Sequence, residues 1–317
     1  LTEVVSKAGI EGRELAYLAV TNQRETVVVW DRESGEPLSP VLSWQDSRGA
    51  ARCAALRDEK GAEFFQERTG LIPDAYFSAS KAEYAFRELR DRGVDPGRAL
   101  WGTVESWLIW NLTGGGVHAT DFSNASRTLL FDINTLDWDD ELLAIFGVPR
   151  SSCPEPRSSD GEFGTAKIAG VHDALPIAGV MGDSQSALFG QGGFDPGVVK
   201  ATYGTGSSVA LNVGKKRITP PEGVVTSLAW GLGGEPEYVW EGNIHSTGDT
   251  IQWIQKNLGL VADTEEATRI ANATDNGGVY LVPAFSGLGA PYWENDATGL
   301  ITGLTHAARK EHLVRAA

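Results

Sequence analysis

The sequence predicts an α/β protein built in two halves, and three observations support this prediction. The chain has 317 residues, of which 41% are hydrophobic, which is enough for two domains with their own cores. Segments with the patterns of strands, then helices, then strands again follow one another along the chain. Glycines cluster at residues 190–193, where we place the boundary between a domain of residues 1–190 and a domain of residues 191–317.

The first half begins with two strand patterns. "LAYLAVTN" and "ETVVVWDRESGEPLS" alternate apolar and polar residues around an acidic turn that contains Gly35, which predicts two strands and a hairpin. From about Asp46 to Arg92 the apolar residues follow a helical spacing that "TGLIPDAYFS" interrupts. "ALWGTVESWLIWNLTGG" predicts a strand or turn that leads into a short helix. The irregular segment after it, residues 117–149, ends in a helix pattern.

The second half contains the stretch richest in glycine. "PIAGVMGD" predicts a short apolar strand that ends at Asp183, and "SQSALFGQG" predicts the start of a helix. "VVKATYGTGSSVALNVG" has the pattern of a hairpin whose turn is "YGTGSS". "TIQWIQKNLGL" and "DTEEATRIANAT" are amphipathic helix patterns, and "GGVYLVPAFSGLGAPYW" predicts a strand that enters a long loop.

The charge and the cysteine count narrow the classes of partner. The formal net charge of −15 makes nucleic acid and anionic membrane surfaces unfavourable partners, because both would repel the chain. No apolar run approaches the roughly 18 residues of a membrane span, and no signal-peptide pattern is present, so we expect a cytoplasmic protein. Two cysteines without a close pair indicate neither a disulfide framework nor a metal site. The sequence leaves open whether the protein is a homo-oligomer.

Asp183 has two interpretations. It follows an apolar strand and precedes a helix of small residues, where aspartate is a favoured N-cap. The same position is the carboxyl end of a strand, where α/β proteins bind their ligands, so the carboxylate is equally suited to act as a general base or to contact a metal ion. The residue pattern alone leaves both interpretations open.

The loop "YGTGSS" has the composition of a phosphate-binding loop. Gly204 and Gly206 let the backbone approach an anion, and neighbouring hydroxyls offer hydrogen bonds. The alternative is an ordinary hairpin turn, and a single "GTG" does not distinguish the two. Neither the P-loop pattern nor a dinucleotide-binding fingerprint occurs in the chain.

"TNQRET" places Arg24 beside Glu25 at the end of a predicted strand. Adjacent strand residues point to opposite faces, so both reach one ligand only at a bend or at the end of the strand. Taken alone, the pair is more typical of surface charges than of a site. His118 and His245 lack metal-ligand spacing, and Trp44 in "SWQDSR" lies among polar residues.

Ten stretches together resemble the FGGY carbohydrate kinases, and among them most closely the members that phosphorylate glycerol. They run nearly from end to end in the order of that family: "TNQRETVVVWDRESGEPL", "SWQDSR", "YFSASK", "GTVESWLIWNLTGG", "ATDFSNASRTLLFDINTLDWDDELL", "GDSQSALFGQG", "TYGTGSS", "IQWIQ", "VYLVPAFSGLGAPYW" and "GLTH". The resemblance implies a two-domain fold of the actin and hexokinase type (ribonuclease H-like), in which ATP and a polyol meet in a cleft between the domains.

The resemblance also implies roles for the polyol-site residues. Arg24 and Glu25 match the pair that holds the polyol hydroxyls, and Tyr76 matches a residue that adds a hydrogen bond. Trp44 matches the residue that packs on the carbon chain, and Asp183 matches the general base that takes the proton of the attacking hydroxyl. The implied reaction is the transfer of phosphate from ATP, with Mg²⁺, to glycerol, which yields sn-glycerol 3-phosphate.

The same resemblance implies a nucleotide site. Gly204 and Thr205 match residues that hold the phosphates of ATP, while Gly248, Ile251 and Gln252 match residues that line the nucleotide pocket. No metal ligand is identified by number.

Two substrate-site positions differ from the pattern of the glycerol-phosphorylating members. Ser184 stands where they usually carry glutamine, and Ser208 stands where they usually carry phenylalanine. Both changes enlarge the pocket and make it more polar, which favours a longer polyol or a ketose such as erythritol or xylulose as the alternative substrate. Arg24, Glu25, Trp44 and Tyr76 favour glycerol.

The family's Asp-x-Gly-Thr phosphate hairpin and its C-terminal adenosine motif do not occur in the 317 residues. We therefore expect the chain to be a fragment, incomplete at both termini, that is inactive or nearly so by itself. A non-catalytic polyol-binding relative is the alternative from a different class of function. Asp183 and the loop "YGTGSS" argue against it, because a protein that only binds a polyol needs neither.

Overall fold

The computed structural model describes every residue from Leu1 to Ala317, and these residues group into two units. The first unit comprises three segments, Leu1–Val198, Leu211–Pro220 and Val225–Trp240. The second unit comprises Val199–Ala210, Pro221–Val224 and Glu241–Ala317. The division into domains of residues 1–190 and 191–317 stays a prediction, because the two units describe packing and not independent folding.

Helices and strands are mixed along the whole chain, which confirms the α/β prediction. The α-helices are α1 (Thr2–Ala8), α2 (Ala50–Lys60), α3 (Ala62–Thr69), α4 (Ser78–Asp91), α5 (Val104–Leu112), α6 (Phe122–Ala125), α7 (Asp140–Ile145), α8 (Asp183–Gly190), α9 (Gly248–Lys256), α10 (Thr264–Ala273) and α11 (Lys310–Ala316). The strands are β1 (Leu18–Asn22), β2 (Val28–Asp31), β3 (Ala99–Gly102), β4 (Ala119–Asp121), β5 (Phe131–Asp132), β6 (Asp137–Trp138), β7 (Glu155–Arg157), β8 (Thr165–Ile168), β9 (His172–Gly182), β10 (Val199–Tyr203), β11 (Ser207–Gly214), β12 (Val225–Leu232), β13 (Glu235–Ile244), β14 (Tyr280–Val282) and β15 (Leu300–Thr302). Short 3₁₀ turns occur at Gly12–Glu14, Pro96–Arg98 and Arg150–Ser152.

A three-stranded sheet in the first unit positions the candidate site. Strand β9 lies in its middle, parallel to β1 and antiparallel to β8. Asn22 at the end of β1 is paired with Gly182 at the end of β9. One apolar cluster joins this sheet to α5, and its buried members are Val20, Ile109, Ala119, Phe163, Ala166, Leu175, Ile177 and Val180. Because the parallel strands end side by side, the residues that follow each of them start from the same edge of the sheet.

The helical pattern predicted between Asp46 and Arg92 is confirmed as α2, α3 and α4. The predicted interruption lies between α3 and α4, where Gly70 ends α3 in the left-handed conformation with φ of 74°. The residues that α4 buries recur at helical spacing; they include Ala79, Ala82, Phe86 and Leu89. The periodicity was therefore a sufficient signal for these helices.

The two predicted strands are confirmed as β1 and β2, and the predicted hairpin around the acidic turn is present only as isolated antiparallel bridges. Strand β1 pairs with β9, whereas β2 pairs antiparallel with β3 and lies in a different sheet. The acidic turn is present, because the Asp31 carboxylate accepts hydrogen bonds from the backbone N–H groups of Glu33 and Ser34. The chain beyond this turn makes isolated bridges to the β2 region, Trp30 to Pro37 and Val27 to Leu42, instead of a full strand.

The glycine-rich stretch after α8 forms the predicted hairpin of β10 and β11. These strands belong to a four-stranded sheet with the order β10-β11-β13-β12, and β11 and β13 each contribute residues to both units. In the second unit the predicted amphipathic helices are confirmed as α9 and α10, which pack with α11. The buried members of their apolar cluster are Ile254, Val261, Ala267 and Val314.

The structure also shows whether the chain has membrane-spanning helices, disulfides or clusters of metal-binding side chains. None of its helices combines the length and the apolar composition needed to span a membrane. Cys53 and Cys153 are both free thiols, and burial raises the pKa of each to about 12. No three His, Cys, Asp or Glu side chains converge in a group that could hold a metal ion.

Candidate active site

Asp183 is the first residue of α8 and directly follows β9. The N-cap of this helix is Gly182, so the interpretation of Asp183 as the N-cap does not describe the arrangement found. The Asp183 carboxylate accepts a hydrogen bond from the backbone N–H of Ser184, with 2.8 Å between N and Oδ1. The Asp183 side chain is still 56% exposed. A carboxylate at the end of a parallel strand therefore remains accessible to a ligand.

Arg24 connects Asp183 to two further side chains. Its buried Nη1 donates a hydrogen bond to Oε1 of Gln185 at 3.1 Å. Its Nε lies 3.6 Å from Oδ1 of Asp183 and 3.8 Å from Oε1 of Glu25. A Cβ added to Gly182 would lie 2.7 Å from both Cγ and Cδ of Arg24, so the arginine packs directly against the glycine backbone. The guanidinium group thus lies between the two carboxylates that the sequence assigned to the site.

Arg24 and Glu25 reach one site because the chain bends after β1. Glu25 has a φ of 59°, in the left-handed region that is uncommon for residues other than glycine. Ser78 Oγ donates to the carbonyl oxygen of Glu25 at 3.1 Å, and Arg127 Nε donates to Oε1 of Glu25 at 2.7 Å. Arg24 and Glu25 are only 4% and 2% exposed, so they do not form the surface charge pair that is typical of such neighbours.

Trp44 and Tyr76 form an aromatic pair. Their ring centroids lie 5.7 Å apart at an interplanar angle of 73°, an edge-to-face contact. The backbone N–H of Trp44 donates to Oγ1 of Thr26, and the Arg127 guanidinium lies 5.8 Å from the Tyr76 ring centroid. Both rings therefore adjoin the segment that carries Glu25. In the first unit the structure brings together the predicted polyol-site residues: Arg24, Glu25, Trp44, Tyr76, Asp183 and Ser184.

Lys81 supports the backbone that carries Tyr76. Its Nζ donates to the carbonyl oxygens of Ala75, Tyr76 and Phe77 at 2.7 to 2.8 Å. The lysine is fully buried, and burial lowers its pKa to about 8. Three hydrogen bonds from one buried ammonium group hold this turn in a single conformation.

The candidate phosphate loop packs against the start of α9 in the second unit. The backbone N–H groups of Thr247 and Asp249 donate to the carbonyl oxygen of Thr205, and the N–H of Gly248 donates to that of Gly204. A Cβ added to Gly248 would overlap the Gly204 carbonyl oxygen. The loop carbonyls therefore accept hydrogen bonds from the first backbone N–H groups of α9. Gly204 and Thr205 are nevertheless exposed to solvent.

The remaining nucleotide-site predictions lie one helical turn further along α9. Ile251 packs against the apolar cluster of the second unit. Gln252 is exposed, and its Oε1 accepts a hydrogen bond from Nζ of Lys256 at 3.2 Å. The structure thus brings Gly204 and Thr205 into contact with Gly248, while Ile251 contacts the apolar cluster and Gln252 contacts Lys256.

Ser208 belongs to the second unit and lies on β11. Its Oγ donates to Oε1 of Glu241 at 3.1 Å, and Glu241 is buried. Ser208 therefore uses its hydroxyl, which phenylalanine lacks, to donate a hydrogen bond to the buried Glu241 carboxylate within the second unit.

Three residues of the first-unit site were not predicted from the sequence: Gln185, Arg127 and Lys81. Gln185 holds Arg24, Arg127 holds Glu25, and Lys81 holds the turn at Tyr76. Arg127 lies in a run of polar residues, "TDFSNASRT", next to the apolar "LLF", while Gln185 and Lys81 lie in "GDSQSALFGQG" and "YFSASK". Polar composition alone does not show that such a run is buried, and burial is what makes these contacts informative.

Comparisons with known proteins identify the family of the chain. The family model described as the FGGY family of carbohydrate kinases, N-terminal domain, matches residues 1–190, and the corresponding C-terminal domain matches residues 199–317. The chain is 48% identical to glycerol kinase 1 of Thermotoga maritima, over 99% of this chain and 65% of that protein. It is also 48% identical to the glycerol kinase of Geobacter sp. strain M21, over 100% of this chain and 65% of that protein.

Solved structures give the same fold. The crystal structure of Plasmodium falciparum glycerol kinase with ADP matches with a TM-score of 0.81 and 39% identity, over 95% of this chain and 61% of that one. A xylulose kinase from Lactobacillus acidophilus, at 19% identity and a TM-score of 0.80, shares the fold over 99% of this chain and 64% of that one. The chain spans less than two thirds of the length of these relatives. By its sequence and its fold, it belongs to the FGGY family of carbohydrate kinases, with their two-domain fold of the actin and hexokinase type.

Proposed function

We propose that this chain carries the polyol site and part of the nucleotide site of a kinase that transfers phosphate from ATP to glycerol, yielding sn-glycerol 3-phosphate. One observation carries the proposal: the buried Arg24 lies between the carboxylates of Glu25 and Asp183, at the edge where β1 and β9 end. Its similarity to glycerol kinases supports glycerol as the substrate.

Asp183 is the proposed general base. A primary alcohol attacks phosphorus only as its proton leaves, and a carboxylate in hydrogen-bonding reach accepts that proton. The half-exposed Asp183 carboxylate satisfies the need for access to substrate, and Nε of Arg24 lies 3.6 Å from its Oδ1.

Glu25 and Arg24 are the proposed ligands of the polyol hydroxyls. A carboxylate accepts hydrogen bonds from hydroxyl groups and a guanidinium donates to their oxygens, so together they orient a pair of neighbouring hydroxyls. Tyr76 is proposed to add a hydrogen bond, and the Trp44 ring to pack on the carbon chain. Their edge-to-face contact supports a fixed ring orientation in the absence of substrate.

ATP is the proposed phosphoryl donor, and its Mg²⁺ would neutralise charge that develops on the transferred phosphoryl group. The exposed backbone of Gly204 and Thr205 is the proposed contact for phosphate, with Gly248, Ile251 and Gln252 contributing to the nucleotide pocket. No group of three acidic or histidine side chains converges in this chain, so we assign Mg²⁺ no set of protein ligands here. Gly204 and Thr205 are exposed and carry no large side chain, and the Gly204 N–H already donates to the carbonyl oxygen of Gly206. We therefore propose the N–H and the hydroxyl of Thr205 as the donors to phosphate.

The use of ATP also supports a cytoplasmic location, where this nucleotide is available. We propose a small polyol and ATP as the partners, and no nucleic acid or membrane surface, since the net charge of −15 would repel both. Oligomerisation is not part of the proposal.

The proposal is tested by coupled phosphorylation assays on the full-length protein with glycerol, erythritol, xylulose and ribulose. We expect glycerol to give the highest kcat/KM, and we expect Asp183→Asn to reduce kcat by about 10²- to 10⁴-fold, the usual contribution of a general base. Binding of glycerol without phosphorylation would instead support a non-catalytic polyol-binding relative. An Asp183→Asn variant with wild-type kcat would remove Asp183 from the mechanism.

A longer polyol or a ketose is the second candidate substrate. The observation in its favour is the presence of serine at 184 and 208, since small polar side chains leave more room than glutamine and phenylalanine. The Ser208 hydroxyl is already bonded to Glu241, which supports a larger pocket more than an added hydrogen bond to substrate. Preference for erythritol or xylulose that Ser208→Phe reverses toward glycerol would establish this candidate.

A further inference from the structure

A buried polar segment makes hydrogen bonds to Gly182, Asn22 and Glu25, which belong to the proposed site or lie within two residues of it. This segment, Asp121–Arg127, has the sequence "DFSNASR", and none of its residues is more than 8% exposed. We infer that it is a positioning segment, which holds the ends of β1 and β9 and the Glu25 carboxylate in the arrangement that catalysis requires. The inference deepens the proposed function and rests on it.

Ser123 holds the backbone that leads into the general base. The N–H of Gly182, the residue before Asp183, donates to Oγ of Ser123 at 2.9 Å. Ser123 is itself fixed, because its backbone N–H donates to Oδ2 of Asp121 at 3.0 Å. The same oxygen of Asp121 accepts a hydrogen bond from Oγ of Ser159 at 2.7 Å. The position of Asp183 therefore depends on a buried chain of hydrogen bonds in which Ser123 is the contact with β9.

Asn124 holds the end of the other strand. Its side-chain amide exchanges two hydrogen bonds with that of Asn22, each at 3.1 Å. Asn22 is the last residue of β1 and lies two positions before Arg24, and its Nδ2 also donates to Oε2 of Glu105 at 2.8 Å. These hydrogen bonds fix Asn22, the residue from which the chain continues into the bend at Arg24 and Glu25.

Arg127 holds the Glu25 side chain itself. The distance from its Nε to Oε1 of Glu25 is 2.7 Å, and both side chains are at most 2% exposed. The guanidinium group also lies 5.0 Å from the ring centroid of Phe77 and 5.8 Å from that of Tyr76, within the range of cation–π contacts. A carboxylate paired in this way is oriented before the substrate binds.

These contacts predict different kinetic effects for neighbouring residues. Without the Ser123 hydroxyl, the N–H of Gly182 loses a buried acceptor and the base loses its fixed position, which affects the chemical step. Without the Arg127 guanidinium, Glu25 loses its orientation, which affects the binding of the polyol. A residue with a purely structural role would change stability without separating kcat from KM.

The first test compares Ser123→Ala with Ser152→Ala in the full-length protein. Ser152 is a matched control, because it is equally buried and donates its hydrogen bond locally to the carbonyl of Pro149. We expect Ser123→Ala to lower kcat about tenfold and to change KM for glycerol less than twofold. Ser152→Ala should leave both constants within twofold, with melting temperatures recorded for both variants.

The second test compares Arg127→Met with Arg127→Lys. Methionine removes the positive charge, and lysine keeps it without the fixed geometry of the guanidinium. We expect KM for glycerol to rise at least tenfold in Arg127→Met and by a smaller factor in Arg127→Lys. In each variant, kcat should change by a smaller factor than KM does. If the methionine variant does not fold, the lysine variant alone carries the test against wild type.

The outcomes separate this inference from the proposed function. If the wild type phosphorylates glycerol, Asp183→Asn does not, and Ser123→Ala behaves as Ser152→Ala does, then the positioning role is wrong and the proposed function stands. The same holds if the Arg127 variants leave KM for glycerol unchanged. If the wild type phosphorylates none of the polyols tested, the proposed function has failed, and with it the inference that rests on it.

Discussion

At the scale of single residues, the candidate polyol site contains a close contact between Gly182 and Arg24. The backbone of Gly182 has φ of −58° and ψ of 149°, a conformation that any residue adopts. Glycine is therefore needed there for space and not for backbone freedom. A side chain at 182 would meet Cγ and Cδ of Arg24 at 2.7 Å and would move the guanidinium away from Asp183.

The change Gly182→Ala tests this requirement. We expect kcat/KM for glycerol to fall at least tenfold, because the added methyl group displaces Arg24 from both carboxylates. Steady-state kinetics of the full-length protein measure the effect.

The matched control is Gly179→Ala on the same strand, β9. Its added Cβ would meet only the Cβ of Ala19, at an ordinary contact distance of 3.6 Å. We expect this variant to keep kcat/KM within about twofold of the wild type. An equal loss of kcat/KM in both variants would show that neither glycine of β9 can be replaced by alanine. In that case the contact between Gly182 and Arg24 would have no special role.

At the scale of elements, the loop between β10 and β11 and the start of α9 form one structure. Three backbone hydrogen bonds join them, from Thr247, Gly248 and Asp249 to the carbonyls of Gly204 and Thr205. Helix N-termini often bind anions through free amides, but here the loop satisfies these amides. An incoming phosphate would therefore contact the exposed loop and not the end of α9.

The change Gly248→Ala should separate the loop from the helix, because its Cβ would overlap the Gly204 carbonyl oxygen. We expect a several-fold rise in KM for ATP and a loss of stability of about 1 to 3 kcal/mol, the usual cost of overpacking. Gly242→Ala in the same unit is the control, since its Cβ would meet only the Cβ of Ala290 at 3.6 Å. A higher KM for glycerol with an unchanged KM for ATP would contradict the assignment of this loop to the nucleotide.

At the scale of the whole molecule, the first unit buries a carboxyl group whose ionisation opposes folding. Glu105 is fully buried, and burial raises its pKa to about 7 even though Thr103 and Thr120 donate hydrogen bonds to it. Asp121 nearby is also buried, and burial raises its pKa as well. Between pH 4.5 and pH 7 the unfolded chain ionises Glu105 while the folded chain keeps it protonated.

This difference predicts that stability decreases as the pH rises from about 4.5 to 7 and that the contribution is constant above pH 7. Glu105→Gln cannot ionise, so the free energy of unfolding of the wild type relative to this variant should fall across that window. The expected fall is on the order of 1 to 3 kcal/mol, measured by urea denaturation at each pH. A difference that does not change with pH would show that Glu105 is ionised in the folded protein.

The comparison with the variant is necessary because the partly buried His118 acts in the opposite sense. Burial lowers its pKa to about 4, so the unfolded chain binds a proton below pH 6.5 that the folded chain does not. The contribution of His118 therefore makes stability rise with pH between about 4 and 6.5. His118 is present in both proteins, so its effect cancels in the difference.

Local sequence patterns predicted most of the elements correctly. The helices α2 to α4, the strand before Asp183, the β10–β11 hairpin and the two amphipathic helices α9 and α10 are all confirmed. Each of these rests on periodicity or on glycine placement within a short window. The pairing of β1 shows the limit of such windows, because its partner β9 lies more than 150 residues away in the sequence.

Ten motifs in order were sufficient to predict the family, and with it the identities of the candidate site residues. The folded structure shows that Gly182, and not Asp183, is the N-cap of α8, and that Arg24 and Glu25 are buried together. It alone revealed the support from Gln185 and Arg127. The physical reason is that burial and hydrogen bonding depend on contacts between distant parts of the chain, and the order of residues does not state which of those parts meet.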